Sequence, residues 1–363
     1  MPIAPETPLG HCHALQDLLR LIELGGPHLR PQRLCTVQVG DQQLDVIAVS
    51  MGRTDPQAPT LGLFGGVHGL ERIGTEVVMS FFSSLVHRLK WDRSLHAQLD
   101  TMRLVIMPLV NPGGLWLGTR ANPQGIDLMR NAPVEATEPV PFLVGGHRLG
   151  PALPWYRGPA DHPMAPEAQA LCQAVGTDLL GAEFALALDC HSGFGLQDRL
   201  WFPYAHTSEP LPHLAELHAL HRVHEQCHPH HHYIFEPQSA QYLTHGDLWD
   251  HLYRLSLTTG ADSPPAPLPS AFLPLTLEMG SWLWVKKNPR QLFNRHGMFN
   301  PLIDHRHRRV LRRHTPLLEF LMRATASHSQ WRPQSDDQRA LHHRQGLARW
   351  YPEQPRHKGL VRP

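Results

Sequence analysis

No apolar run in the sequence approaches the ~18 residues of a membrane span. Its opening residues hold no basic stretch followed by an apolar core, so neither a membrane partner nor a secretory leader is expected. Excess charge is missing too. Lys and Arg number 33 against 32 Asp and Glu, and charged residues make up 18% of the 363. A chain built to bind nucleic acid over a broad surface carries a large basic surplus, so nucleic acid is excluded as its main partner. Cysteine is scarce: Cys12, Cys35, Cys172, Cys190 and Cys227 are an odd set, widely spaced, with no C-x-x-C pair. That pattern excludes a disulfide scaffold and points to reduced thiols in a cytoplasmic protein. The oligomeric state is left open by all of this.

What the chain has in abundance is histidine, with 28, and proline, with 35. Residues 14–24 place Leu15, Leu18, Leu19 and Ile22 on one helical face, closed by Gly25-Gly26-Pro27. Residues 34–39 and 44–49 are β-rich and flank a polar turn, the pattern of a hairpin. Residues 1–55 are therefore expected to be a lead-in of helix and hairpin packed on the main domain over 56–326. Within that domain residues 60–64, 102–110, 184–188 and 273–277 are apolar runs separated by helical stretches. This predicts an α/β fold, with a mixed, mostly parallel sheet covered on both faces. The helical spacing of 302–324 should restart at Thr315-Pro316, an N-cap and N1 pair. From about residue 327 to 363 a basic tail is expected, flexible or draped on the surface, since residues 301–363 carry 13 basic groups against 5 acidic.

In parallel sheets, polar residues just past the strand C-termini gather in one crevice. Here those positions carry His68, Asn111, His191 and Glu278. His68 and Glu71 are three apart, so a helix beginning just after Gly65-Gly66 would turn both toward one cation. His191 adds a distant third ligand, and three protein ligands leave a fourth position for water, as catalytic zinc requires. Asp189, two residues earlier, would face the same way and orient its imidazole.

These segments, in order, resemble the zinc carboxypeptidase family. The resemblance rests on His68-x-x-Glu71, Asn111-Pro112-Gly113-Gly114, Leu117-Gly118-Thr119-Arg120, the run Gly125-Ile126-Asp127-Leu128-Met129-Arg130-Asn131, Tyr156-Arg157-Gly158 with Pro166-Glu167, His191-Ser192 and Leu275-Thr276-Leu277-Glu278. It implies that family's three-layer α/β/α sandwich and one Zn2+ per chain, held by His68, Glu71 and His191. It also implies Glu278 as general base, Arg120 as the oxyanion-stabilising group and Arg130 as the clamp on a substrate carboxylate. Asn111 belongs to the substrate-binding turn. Tyr242 resembles the substrate-capping tyrosine, and Asp247 either lines the side-chain pocket or caps the following helix.

Three departures widen the choice of substrate. The family's asparagine beside the carboxylate-binding arginine is Met129. Asp189-x-His191 and His68-Gly69 look more like the aspartoacylase and succinylglutamate desuccinylase branch. A proline-rich stretch (Pro264, Pro265, Pro267, Pro269) precedes Glu278 and could form a lid. The expected substrate is a peptide, with an N-acyl amino acid as the alternative, and a silent zinc- or peptide-binding module as the non-enzymatic reading. Two further features carry alternatives. Cys227-His228-Pro229-His230-His231-His232 is either a solvated loop or a second metal site. The basic run from Arg306 to Arg313 is either the wet face of a helix or a contact for an acidic partner.

Overall fold

The computed structural model describes residues 13–259 and 270–352. Cys12 and the proline-rich residues 264–269 lie outside the described residues. Eight strands form one sheet: β1 (Arg30–Val39), β2 (Gln42–Gly52), β3 (Thr60–Gly65), β4 (Arg103–Met107), β5 (Phe184–Ser192), β6 (Arg199–Phe202), β7 (Ile234–Pro237) and β8 (Ala271–Met279), in the order β1-β2-β4-β3-β5-β8-β6-β7. β4, β3, β5 and β8 run parallel, while β2 and β6 join them antiparallel. The four central strands are short and entirely buried, as expected of runs with apolar side chains on both faces.

Eleven α-helices are present among the described residues: α1 (His13–Gly25), α2 (Arg72–Arg88), α3 (Arg93–Leu99), α4 (Pro112–Leu117), α5 (Pro166–Asp178), α6 (Leu214–Cys227), α7 (Leu248–Thr259), α8 (Trp282–Lys287), α9 (Asp304–Ala326), α10 (His328–Trp331) and α11 (Asp336–Trp350). α2 and α9 pack on β3 and β5; α5 packs on β1 and β2, and α7 on β8. Phe64, Phe81, Phe82 and Phe184 are among the largest fully buried side chains. Each contributes about 1.5–3 kcal/mol by leaving water.

The structure departs from the sequence expectations in four places. The hairpin of residues 30–52 is not a separate lead-in, because β2 pairs with β4 and extends the catalytic sheet itself. The short strands β6 and β7 were not legible, four residues being too few to show a period. α9 does not restart at Pro316 but runs through it. Pro316 removes a single N–H, the Thr315 hydroxyl donates to the Leu311 carbonyl at 2.9 Å, and Val310, His314, Leu317, Leu318 and Leu321 are buried on either side of the proline.

The fourth departure is the basic tail, which over residues 327–352 is helical and docked. α11 lies against α6, with Trp350 buried and Gly346 close to Leu214. Its cations meet acids of α6: Arg339 pairs with the buried Glu216, and Arg349 with Glu225 at 3.1 Å. Spacing of single apolar residues among many charges hid this face from the sequence.

Several histidines of α6 and α9 are buried. Burial, with Arg349 next to it, lowers His221 to about 3; burial also lowers His224 to about 4, aided by His228 and His231, and His314 to about 4. All three are neutral when folded and protonate near pH 6.5 when unfolded. The unfolded chain therefore binds more protons below pH 6.5, and stability falls from there down to about pH 3, where the last of the three protonates in the folded state. Denaturant titrations at pH 7.5 and 5.0 should show the midpoint dropping at the lower pH. Replacing His224 with glutamine should flatten that dependence.

Candidate active site

Strand ends and two close approaches assemble the site. β3 ends at Gly65, and the chain turns through Gly66, whose φ is +67°. A Cβ at Gly69 would stand 1.9 Å from the Gly114 carbonyl carbon, so only glycine lets the two backbones touch there. That contact holds the turn in which the Glu71 N–H donates to the His68 carbonyl at 3.1 Å. α2 begins only at Arg72, with Glu71 as its N-cap. The expected pairing of His68 and Glu71 on a first helical turn is thus corrected to a tight turn before the helix, and the two still converge.

His191 arrives from β5, where it is a strand residue in register with Glu278 of β8. His68, Glu71 and His191 are all buried, and their ligand atoms lie within 4.8 Å of one another. His191 Nδ1 stands 3.2 Å from His68 Nδ1 and 3.1 Å from Glu71 Oε2, while His68 Nδ1 is 2.9 Å from Glu71 Oε1. The opposite ring nitrogens face carboxylates: His191 Nε2 to Asp189 Oδ2 at 2.7 Å, and His68 Nε2 to Asp127 Oδ1 at 3.1 Å.

With both Nε2–H groups donated to carboxylates, both Nδ1 lone pairs point at each other and at Glu71. Acceptors meeting this way repel unless a proton lies between them, which Asp189 and Glu71 favour on His191 against its burial, or a divalent cation takes that place. Bonds of about 2.0–2.1 Å in a tetrahedral site give donor–donor edges of about 3.3 Å, so the observed triangle fits zinc. Two imidazoles and one carboxylate also suit zinc chemically.

Asp127 was missed as a functional residue, although it lies inside the Gly125–Asn131 segment that carried the resemblance. Its other oxygen accepts from Arg120 Nε at 2.8 Å, and Arg120 Nη1 donates to Glu71 Oε1 at 3.2 Å. Burial would raise Asp127, but Arg120 and His68 outweigh it and hold the carboxyl well below the usual range. Trp249 of α7 was also missed; its Nε1–H donates to Asp189 Oδ2 at 2.9 Å.

Because Asp189 fixes the His191 ring, Asp189→Asn should keep the geometry while removing the charge. Zinc affinity should fall about 10- to 100-fold, read by competition with a chromogenic chelator. An unchanged affinity would show the contact to be merely structural.

The triad opens on a cavity of about 650 Å3 shared with Glu278, Arg120, Arg130 and Tyr242. Burial, reinforced by the Glu71 charge, pushes Glu278 up to about 8 against the pull of His191 and Arg120. Its Oε1 accepts from the Phe194 N–H at 3.0 Å. No ion pair to Lys286 or Lys287 is formed among the described residues; both lysines are exposed. Arg130 is held by donating to the Val144 and Met129 carbonyls, each at 3.2 Å, with Met129 beside it in the wall. Trp155, Phe194, Trp201, Trp282 and Phe299 form aromatic walls with no sequence signal of their own.

Two expected site residues lie elsewhere. Asn111 is fully buried as the N-cap of α4; its Oδ1 accepts from the Gly114 N–H at 2.7 Å, and its amide donates to the Val67 carbonyl at 3.2 Å. Asp247 accepts from the Trp249 and Asp250 N–H groups, both at 2.9 Å, so it caps α7 and does not line this cavity. The histidine run of 228–232 makes no second metal cluster among the described residues: the His68, Glu71 and His191 group stands alone. His228 instead stacks on His224 at 5.2 Å.

The comparisons with known proteins agree with this geometry. A family model described as zinc carboxypeptidase matches residues 30–261. Carboxypeptidase E of Caenorhabditis elegans is 30% identical over 95 residues, 23% of this chain and 20% of that protein. Carboxypeptidase D of Anas platyrhynchos is 26% identical over 102 residues, 28% of this chain and 7% of that protein. The matched part of the chain thus spans a fifth or less of these curated relatives. Thrombin activatable fibrinolysis inhibitor, at 16% identity, shares the fold with a TM-score of 0.63 over 85% of this chain and 72% of its own.

Proposed function

The chain belongs to the zinc carboxypeptidase family, and from that premise we propose that it hydrolyses the amide bond preceding a C-terminal residue that carries a free carboxylate. The observation that carries the reading is the gathering of the His68, Glu71 and His191 triangle, a raised Glu278 and two arginines in one cavity. A zinc ion held by His68, Glu71 and His191 supplies Lewis-acid polarisation of a carbonyl and acidifies a water toward neutrality. We assign Glu278 to take the proton of the attacking water and deliver it to the leaving amine, a task for which its place in the cavity beside the triangle suits it. Arg120, immobilised by Asp127 and Glu71, offers its remaining N–H groups to the developing oxyanion. Arg130 takes the substrate carboxylate with its planar fork, and Tyr242, near Phe194 and Trp201, closes over the side chain.

The alternative is an N-acyl-amino-acid deacylase, favoured by Met129, which stands beside Arg130 where the family pattern has an asparagine. The breadth and aromatic walls of the cavity favour a peptide, since a short acyl amino acid would fill little of it. A cytoplasmic setting is the compartment we assign, in keeping with free Cys35, Cys172, Cys190 and Cys227. The test is mass spectrometry of zinc-loaded and chelator-treated protein incubated with free-C-terminus peptides and N-acyl amino acids. Loss of single C-terminal residues by the loaded form alone is expected. Release of acyl groups with peptides intact would move the protein to the deacylase branch, and turnover of neither set would overturn the enzymatic reading.

A further inference from the structure

A second cavity, of about 530 Å3, lies beside the catalytic one. It is formed where β8 ends, at Gly280, and where the antiparallel β6 and its neighbour β7 begin. The same sheet edge thus carries both cavities. α8 links them, with Trp282 at its start in the catalytic wall and Lys287 at its end in the second.

The charge there is lopsided in a protein whose formal net charge is +1. Lys287, Arg306, Arg309 and Arg313 line the cavity against a single carboxylate, Asp198. Arg306, Arg309 and Arg313 share one face of α9 at i, i+3 and i+7. Asp198 is taken by Arg313, which also donates to the His232 carbonyl at 3.0 Å and lies over the Tyr233 ring at 5.5 Å. Arg313 is therefore a fixed part of the wall. Lys287, Arg306 and Arg309 make no ion pair among the described residues, and Lys287 and Arg309 are exposed. Between the cations stand Leu196, Ile234, Leu283, Trp284 and Val310. A bare phosphate wants a tight cup of donors; cations spread along a helix and separated by apolar walls fit a chain bearing several carboxylates.

We propose that this cavity is a second subsite, which binds acidic side chains of the peptide whose C-terminal end occupies the catalytic cavity. The proposal rests on the carboxypeptidase reading. The six residues of α8 span about 9 Å, which an extended peptide crosses in about three residues. Acidic residues starting about three positions before the cleaved bond reach Lys287 and Arg309.

The test uses the full, zinc-loaded chain and two blocked peptides, identical except that three glutamates, placed three residues before a C-terminal leucine, become glutamines in the second. Calorimetry on the Glu278→Gln protein should show the glutamate peptide binding about tenfold more tightly at low salt, the worth of two partly exposed ion pairs. The preference should shrink as salt screens it. In a Lys287→Ala/Arg309→Ala variant the two peptides should bind alike, and in the otherwise native enzyme that variant should leave kcat/KM for the glutamine peptide unchanged. A preference that survives the double substitution would overturn the proposal. So would binding of inorganic tripolyphosphate that depends on Lys287 and Arg309 without competition from the glutamate peptide. If neither peptide is cleaved the carboxypeptidase reading fails, and the calorimetric comparison still decides whether the cavity holds acidic chains.

Discussion

Replacing Glu278 by glutamine lowers kcat for C-terminal release by about 10^2- to 10^4-fold while KM stays within a few-fold, the signature of a lost proton acceptor with binding intact. Glutamine preserves the shape, and its amide oxygen can keep the contact from the Phe194 N–H. The substitution also removes a buried carboxylate that both burial and the Glu71 charge work to neutralise. Stability should therefore hold or rise slightly, and zinc content should not change, since Glu278 is outside the donor triangle. Parallel measurement of kcat, KM, bound zinc and the denaturation midpoint checks all four statements. A kcat within threefold of the unmodified protein, at full zinc occupancy, would assign the base elsewhere.

The second large effect is on stability. Trp350→Ala should destabilise the protein by about 3–5 kcal/mol, the usual cost of emptying a buried tryptophan site. Trp350 lies edge-on to Phe202 at 4.9 Å and stacks with Phe235 at 5.6 Å, and its Nε1–H donates to the Phe235 carbonyl at 2.7 Å. Both phenylalanines belong to β6 and β7, so loss of the indole loosens the outer edge of the sheet together with the seat of α11. Trp350→Phe keeps most of the apolar contact but leaves the Phe235 carbonyl without its donor, and should cost about 1–3 kcal/mol. Urea midpoints at pH 7.5 order the three proteins. Equal midpoints would mean that α11 contributes nothing to the fold.

The central strands were readable because their residues obey one rule, apolar on both faces, and because a strand end is where polar residues stand out. His68, His191 and Glu278 could be picked out on that ground, Glu71 by its spacing from His68 and Asp189 by its spacing from His191, and the meeting of His191 with Glu278 was a matter of parallel register. Asn111 misled, and Asp247 left two readings open, for a shared reason. An amide or carboxylate just before a helix has the same sequence signature whether it receives backbone N–H groups or a ligand, and here both cap helices. Asp127 escaped because its work depends on His68 and Arg120, distant in one case and irregularly spaced in the other. Trp350 escaped because a single aromatic in a charged helix has no period to show.

The pairing of His191 with Glu278 has a consequence for how this enzyme could change over time. The proposed ligand and the proposed base occupy facing positions of two adjacent, fully buried strands, so the ladder of backbone hydrogen bonds sets their separation. Of the aromatic walls of the cavity, Trp155, Phe194, Trp282 and Phe299 lie in connecting segments or at the start of a short helix, while Trp201 is on β6. The spacing of His191 and Glu278 is thereby fixed by the sheet, while most of the aromatic lining can be exchanged one residue at a time without touching that spacing.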